Sequence, residues 1–429
     1  MSFAETYLSR YSSGQVQSLP VPDPDLFLSV VIPVYNEPGF INSLQSLLSA
    51  DAPDYPWEII IVVNEPANCP SENHYQNLKT IDDVNNFKKT LDRPDLQIHL
   101  ILPDPFPVKK AGPGMGRKIG MDESVRRFNS LSRPEGILVS FDADTTCSHN
   151  YLRELAGFFR HYPEAGGCTL AFEHKLEEDG LTDSHHLNAI IQYELYLRYF
   201  KFALEWISYP YTVHALGSAF AIRAQRYVLA GGMGLQQAGE DFYFLQKCLP
   251  HGNFWELNTT TVYPSARISD RVPFGTGPFV ANFINEGKSV LDVFSFDLFR
   301  ALQPLFKWVK ILGELPSSMD EVDQIFHELP GSIRKRLMDL GWRDKIRTAL
   351  DESAGLIPFK KRFYHEVSVL QLIRLLNGLS MRDFPKLPIS GEFLNLMDAL
   401  GYKLESQNAL DLLNSARRIE KSKGIARIT

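Results

Sequence analysis

The chain has 429 residues, 44% of them hydrophobic and 22% charged, with a formal net charge of −7. These values describe a globular protein of one to three domains with a large buried core, and the acidic balance excludes a general nucleic-acid binder. Cys69, Cys147, Cys168 and Cys248 lie far apart with no CxxC pair, which excludes a disulfide framework and a zinc ribbon and reads as free thiols in a reducing compartment.

Residues 1–24 read as an N-terminal arm ending in the Pro/Asp cluster "LPVPDPD". Its start, "MSFAETYLSRYSSGQ", lacks the apolar core of a secretory signal. No stretch reaches the roughly 18 uninterrupted apolar residues of a membrane span, so the expected location is cytoplasmic. Four apolar, β-branched runs follow the arm: Leu28 to Val34, Trp57 to Val63, Leu96 to Leu102 and Gly136 to Phe141. A fifth run covers Gly166 to Phe172. Helical segments separate them: "FINSLQSLLSA", "MGRKIGMDESVRRF" and "NYLRELAGFFRHY". Continuous apolar strands alternating with helices predict an α/β fold whose parallel sheet is covered on both faces. Such sheets bind ligands at the carboxyl ends of their strands, where Asn36, Asn64 and Asp142 fall. Residues 184–206 read as a long helix whose aromatic face packs in a core. From about residue 286 the periodicity is helical, and the basic end "SARRIEKSKGIARIT" reads as solvated or frayed.

The chemistry concentrates at "SFDADTT". In extended backbone, Asp142 and Asp144 point to one side, where two carboxylates can hold a hard divalent ion. A solvated turn or helix cap is the bland alternative for the same residues. A second acid pair, Glu240 and Asp241, opens the segment "EDFYFLQKCL", whose bland reading is a helix start favoured by the macrodipole. Between the strand runs, "AGPGMGRKIGMDES" supplies Gly112, Gly114 and Gly116 with Arg117 and Lys118, without Walker spacing.

Taken in order, "LSVVIPVYNEP", "WEIIIVVNEP", the Asp-x-Asp and "GSAFAIRAQRYVLAGGMGLQQAGEDFYFLQKCL" resemble the family 2 glycosyltransferases over about residues 27–280. The resemblance implies a GT-A fold, a Rossmann-like mixed sheet flanked by helices, in residues 25–285, followed by a mostly helical region in 286–429. It implies transfer of a sugar from a nucleotide-sugar donor to an acceptor hydroxyl, with inversion, in the hexosyltransferase class. Pro33, Tyr35, Asn36 and Glu37 match the motif lining the nucleotide pocket, where Tyr35 would pack on the base and Asn36 or Glu37 would bond base or ribose. Asn64 stands where the family carries an acid that reads the base, which leaves UDP and GDP both open. Arg117 and Lys118 would face the diphosphate. Asp142 and Asp144 would hold Mn2+ or Mg2+, with Asp142 also on the donor side. Asp241 matches the general base and Glu240 its partner.

Two positions depart from the family or stay open. The histidine that completes the metal shell in the family has no counterpart in "TTTVYPSARISDR", and His214 reads as sugar-facing or simply packed. Arg267 and Arg271, before Gly275 and Gly277, have the composition of a loop that closes over phosphates, with Arg271 binding the donor. Two rivals stand beside this reading: a nucleotidyltransferase that makes nucleotide-sugars, and a non-catalytic sugar- or nucleotide-binding protein. The acceptor is expected to be a small molecule or glycan, with peripheral membrane contact left open through the C-terminal helices.

Overall fold

The computed structural model describes residues 2–13, 18–93, 96–108, 111–176, 183–235, 239–268 and 275–429. Its strands are β1 (Leu28–Val34), β2 (Trp57–Val63), β3 (Gln97–Ile101), β4 (Ile137–Ser140), β5 (Thr146–Cys147), β6 (Gly167–Phe172), β7 (Phe220–Arg223), β8 (Phe254–Tyr263), β9 (Asp292–Val293), β10 (Leu387–Pro388) and β11 (Ile425–Arg427). The helices up to the second acid pair are α1 (Glu5–Arg10), α2 (Phe40–Leu48), α3 (Ser71–Thr90), α4 (Pro113–Ser130), α5 (Tyr151–His161), α6 (Ser184–Trp206), α7 (Ala224–Leu229) and α8 (Glu240–Cys248).

Two compact units emerge. The first comprises residues 1–190, 213–282 and 417–429, and the second residues 191–212 and 283–416. The first unit holds a sheet ordered β11-β8-β6-β7-β4-β1-β2-β3, with β5 beside β8. The five strand runs of the sequence form β1, β2, β3, β4 and β6 within a residue or two of the expected limits. Strands β3, β2, β1 and β4 are parallel neighbours. Beyond β4 the sheet turns mixed, because the short "FAIR" strand β7 lies antiparallel between β4 and β6. All seven residues of β1 and of β2 are buried, as a sheet covered on both faces requires. The second unit is helical, with a small antiparallel β9–β10 pair.

Helix α4 is polar in sequence yet largely buried, so each of its polar side chains must find a partner. Gly116 and Gly120, one turn apart, let it lie close on the sheet: a Cβ at Gly120 would collide with Val31 Cγ1, and one at Gly116 with Asn64 Oδ1. Ser124 Oγ meets Ser29 Oγ at 2.8 Å. Arg127 grips the buried carboxylate of Glu58 through Nε, at 2.9 Å to both oxygens, and Nη2, at 2.6 Å. Burial alone would raise the Glu58 pKa; hydrogen bonds from His99 and Arg127 outweigh it and hold the carboxyl below its ordinary value. Lys118 Nζ reaches Tyr7 Oη at 3.0 Å, and Tyr7 donates to Asp122 Oδ1 at 2.7 Å. The N-terminal arm is therefore docked on the back of α4 by its helix α1.

The C-terminal end also differs from its reading as frayed. Residues 425–427 form β11, antiparallel to β8, and the preceding helix, Ala409–Ser422, sends Glu420 to His214 Nε2 at 2.6 Å. The tail thereby covers the β8 edge over Trp255–Leu257, a short edge strand in place of a long one. The basic residues there have partners: Lys421 pairs with Glu173 at 2.6 Å and Arg417 donates to the His174 carbonyl at 2.9 Å. Among the described residues, no helix is long and apolar enough to cross a membrane.

Candidate active site

The site gathers at the carboxyl ends of β1, β2 and β4. Strand β1 ends at Val34, and Asn36 follows with φ 47°, a left-handed turn that asparagine tolerates. Its backbone N–H donates to Asn77 Oδ1 on α3 at 2.9 Å. Asn64, just past β2, donates from its backbone to the Val34 carbonyl at 3.0 Å, which ties the two strand ends together. Its side chain donates to the Gly112 carbonyl at 3.4 Å, while Oδ1 is buried without a hydrogen-bond donor among the described residues. Tyr35 Oη accepts from Asn73 Nδ2 at 2.9 Å.

Strand β4 runs out at Ser140, and Asp142 and Asp144 follow at the rim with side chains 30% and 28% exposed. Two anions so close need positive charge beside them. Two arginines supply it. Arg117, 2% exposed, donates from Nη2 to Asp142 Oδ1 at 2.5 Å and from Nη1 to Glu240 Oε1. Arg267 donates from Nη2 to Asp144 Oδ2 at 3.1 Å and pairs as a fork with Glu37, Nη1 to Oε1 at 2.8 Å and Nη2 to Oε2. Glycine at 217 makes the first arrangement fit, since a Cβ there would collide with the Arg117 guanidinium. Asp142 Oδ2 accepts no hydrogen bond among the described residues.

The second acid pair sits at the start of α8. Gly239 caps the helix with φ 69°, a left-handed geometry suited to glycine. Asp241 Oδ1 accepts from the Phe242 backbone N–H at 2.7 Å. Burial and then the charge of Glu240 push the Asp241 pKa up from its ordinary value to about 7, with Arg117 and the Phe242 N–H pulling the other way.

Sequence reasoning placed several residues that the fold brings together: Asp142, Asp144, Glu240, Asp241, Arg117, Glu37 and Arg267 are linked by ion pairs or adjacency, while Pro33, Tyr35, Asn36 and Asn64 line the neighbouring strand ends. Other residues go elsewhere. Lys118, expected beside a diphosphate, is 5% exposed and directed to Tyr7 and Asp122, because successive helical residues do not share a face. Arg117 is enclosed by carboxylates, and Glu37 is 1% exposed and engaged by Arg267. His214 is turned into the C-terminal closure with Glu420. Arg271 lies outside the described residues.

Among the described residues no group of three or more His, Cys, Asp or Glu side chains could hold a metal ion. Asp142 and Asp144 are a two-carboxylate set. Part-exposed and hard in donor character, with Asp142 Oδ2 accepting no hydrogen bond, they fit a divalent ion that takes its remaining oxygens from a phosphorylated ligand and water.

No protein-family model and no curated protein matches the chain. Similar solved structures include S. aureus TarS 1–349 in complex with UDP-GlcNAc, 14% identical over 80% of this chain and 92% of that one, with TM-score 0.40. The same fragment in complex with UDP is 16% identical over 80% and 91%, with TM-score 0.38. The mannosyltransferase PcManGT from Pyrobaculum calidifontis, in complex with GDP-Man and Mn2+, is 14% identical over 98% and 94%, with TM-score 0.34.

Proposed function

We propose that the chain is an inverting glycosyltransferase of the GT-A type, moving a hexosyl group from a nucleoside-diphosphate sugar to an acceptor hydroxyl. The observation that carries this reading is the meeting of Asp142 and Glu240 on the single guanidinium of Arg117. It sets an Asp-x-Asp pair beside the acid pair of α8, although Asp142 and Glu240 are remote in sequence. Few structural tasks need four carboxylates at one strand-end rim; a group-transfer site that separates a leaving anion from an acid–base pair does.

Asp241 takes the proton of the acceptor hydroxyl as that oxygen bonds to the anomeric carbon. The bond from that carbon to the diphosphate oxygen breaks, and its electron pair leaves with the nucleoside diphosphate. A carboxylate whose pKa lies at about 7 suits this work at neutral pH, where it is substantially ionised and still basic. Arg117 bonds both Glu240 and Asp142 and holds them in place. Pro33, Tyr35, Asn36 and Asn64 form the nucleotide side. Asn64 Oδ1, an acceptor with no donor among the described residues, suits the ring N–H that uracil and guanine both present. Asp142 and Asp144 would hold Mn2+ or Mg2+, which when bound supplies positive charge to the departing diphosphate.

A thermal-shift panel tests this reading. UDP, GDP, UDP-GlcNAc and GDP-Man, each with and without Mn2+, are compared with CDP and ADP. A uridine or guanosine nucleotide with Mn2+ should raise Tm by several degrees, since a ligand at about 100 Kd adds about 2.7 kcal/mol to the native state. No shift with any nucleotide would remove the proposed pocket.

A further inference from the structure

Arg267 does more than neutralise. Its fork on Glu37 is bidentate, and Glu37 is 1% exposed, so this pair is anchored. The bond to Asp144 is a single one, at 3.1 Å, made by the same Nη2 that serves Glu37. Arg267 itself is 36% exposed and sits on the coil that follows β8. The guanidinium is thus fixed at one end and exchangeable at the other. A divalent ion arriving alone must compete with it for Asp144. A nucleoside diphosphate changes that balance, because phosphate oxygens offer guanidinium N–H groups new acceptors of matching geometry.

We infer that Arg267, anchored by Glu37, is a positioning residue that makes cation capture at Asp144 depend on the nucleoside diphosphate. The inference rests on the reading above that Asp144 faces the donor, and it assigns Glu37 to anchoring Arg267 instead of to base or ribose. Without nucleotide, Arg267 guards Asp144 and the site holds the ion weakly. With nucleotide, the guanidinium turns toward the diphosphate and gives up its bond to the carboxylate. Coupling of this kind is reciprocal, so the ion must strengthen nucleotide binding by the same factor.

Mn2+ titrations followed by the EPR signal of the free ion, alone and with saturating UDP or GDP, test this without any turnover. In the wild type, nucleotide should tighten Mn2+ binding by about tenfold or more. Arg267→Gln should bind Mn2+ without nucleotide about tenfold more tightly than wild type, and nucleotide should then add less than about threefold. Glu37→Gln, which releases the anchor, should move in the same direction to a smaller extent. Tighter ion binding is a gain that a misfolded variant would not show. Unchanged coupling in Arg267→Gln, with both ligands bound, overturns the role of Arg267 alone. Absence of both Mn2+ and nucleotide binding in the wild type overturns the site reading and this inference together.

Discussion

Replacing Asp241 with asparagine is expected to lower kcat by about 10²- to 10⁴-fold while the donor KM stays within about threefold, because a general base acts in the transition state and not in donor binding. The wild-type pH profile carries the companion result. Asp241 has its pKa pushed up to about 7, so log kcat/KM should fall with decreasing pH below about 7 and level off above it. In Asp241→Asn this limb should vanish. Stability follows the opposite sign. A carboxyl whose folded pKa is raised above its unfolded one favours the folded state at low pH and loses that contribution as pH rises through about 7. Asp241→Asn should therefore be more stable than wild type at pH 8, with the gain shrinking as pH falls toward 4. Urea denaturation at the two pH values measures this. Loss of activity together with loss of stability at pH 8 would mean that Asp241 is structural.

Arg117→Met is expected to have the largest effect on folding. It would strip the shared cation from Asp142 and Glu240 at a buried position, and breaking a buried pair by removing one partner costs about 3–5 kcal/mol. Arg117→Lys retains the charge but loses the two-armed geometry, and should recover part of that stability. The lysine variant also reports on chemistry. Arg117 pulls the Asp241 pKa down, so a more weakly placed cation should shift the acid limb of kcat/KM to higher pH. An unmoved limb in a folded Arg117→Lys enzyme would separate Arg117 from the acid pair.

The central sheet was legible because its strands are buried on both faces. β1 and β2 read as unbroken apolar runs with turn residues at their ends, and the fold reproduces them residue for residue. β7 was harder to see: four residues long, it inserts antiparallel between β4 and β6, and nothing in "FAIR" announces which neighbours it takes. β11 was missed for another reason. A basic segment ending the chain has the composition of a solvated tail, and only the exposed edge of β8 makes it a strand. Within the site, the residue types were visible but their partnerships were not. Arg117 lies 25 positions from Asp142 and 123 from Glu240, separations that no local pattern can join. Helix α4 misled most. Its sequence suggested that Arg117 and Lys118 face a diphosphate together, whereas burial sends the two cations to different acids on different faces. Gly116 and Gly120, which let the helix lie that close to the sheet, were the available signal.

The most direct test of the account is the identity of the phosphorus product. The protein is incubated with UDP-GlcNAc or GDP-Man, Mn2+ and a mixture of hydroxyl acceptors, and the reaction is followed by 31P NMR. Sugar transfer by the acids at Asp142, Asp144, Glu240 and Asp241 releases free UDP or GDP, with both phosphorus atoms on the nucleoside. Conversion of the same nucleotide-sugar with added pyrophosphate into UTP or GTP and a sugar 1-phosphate, with no nucleoside diphosphate formed, would contradict it.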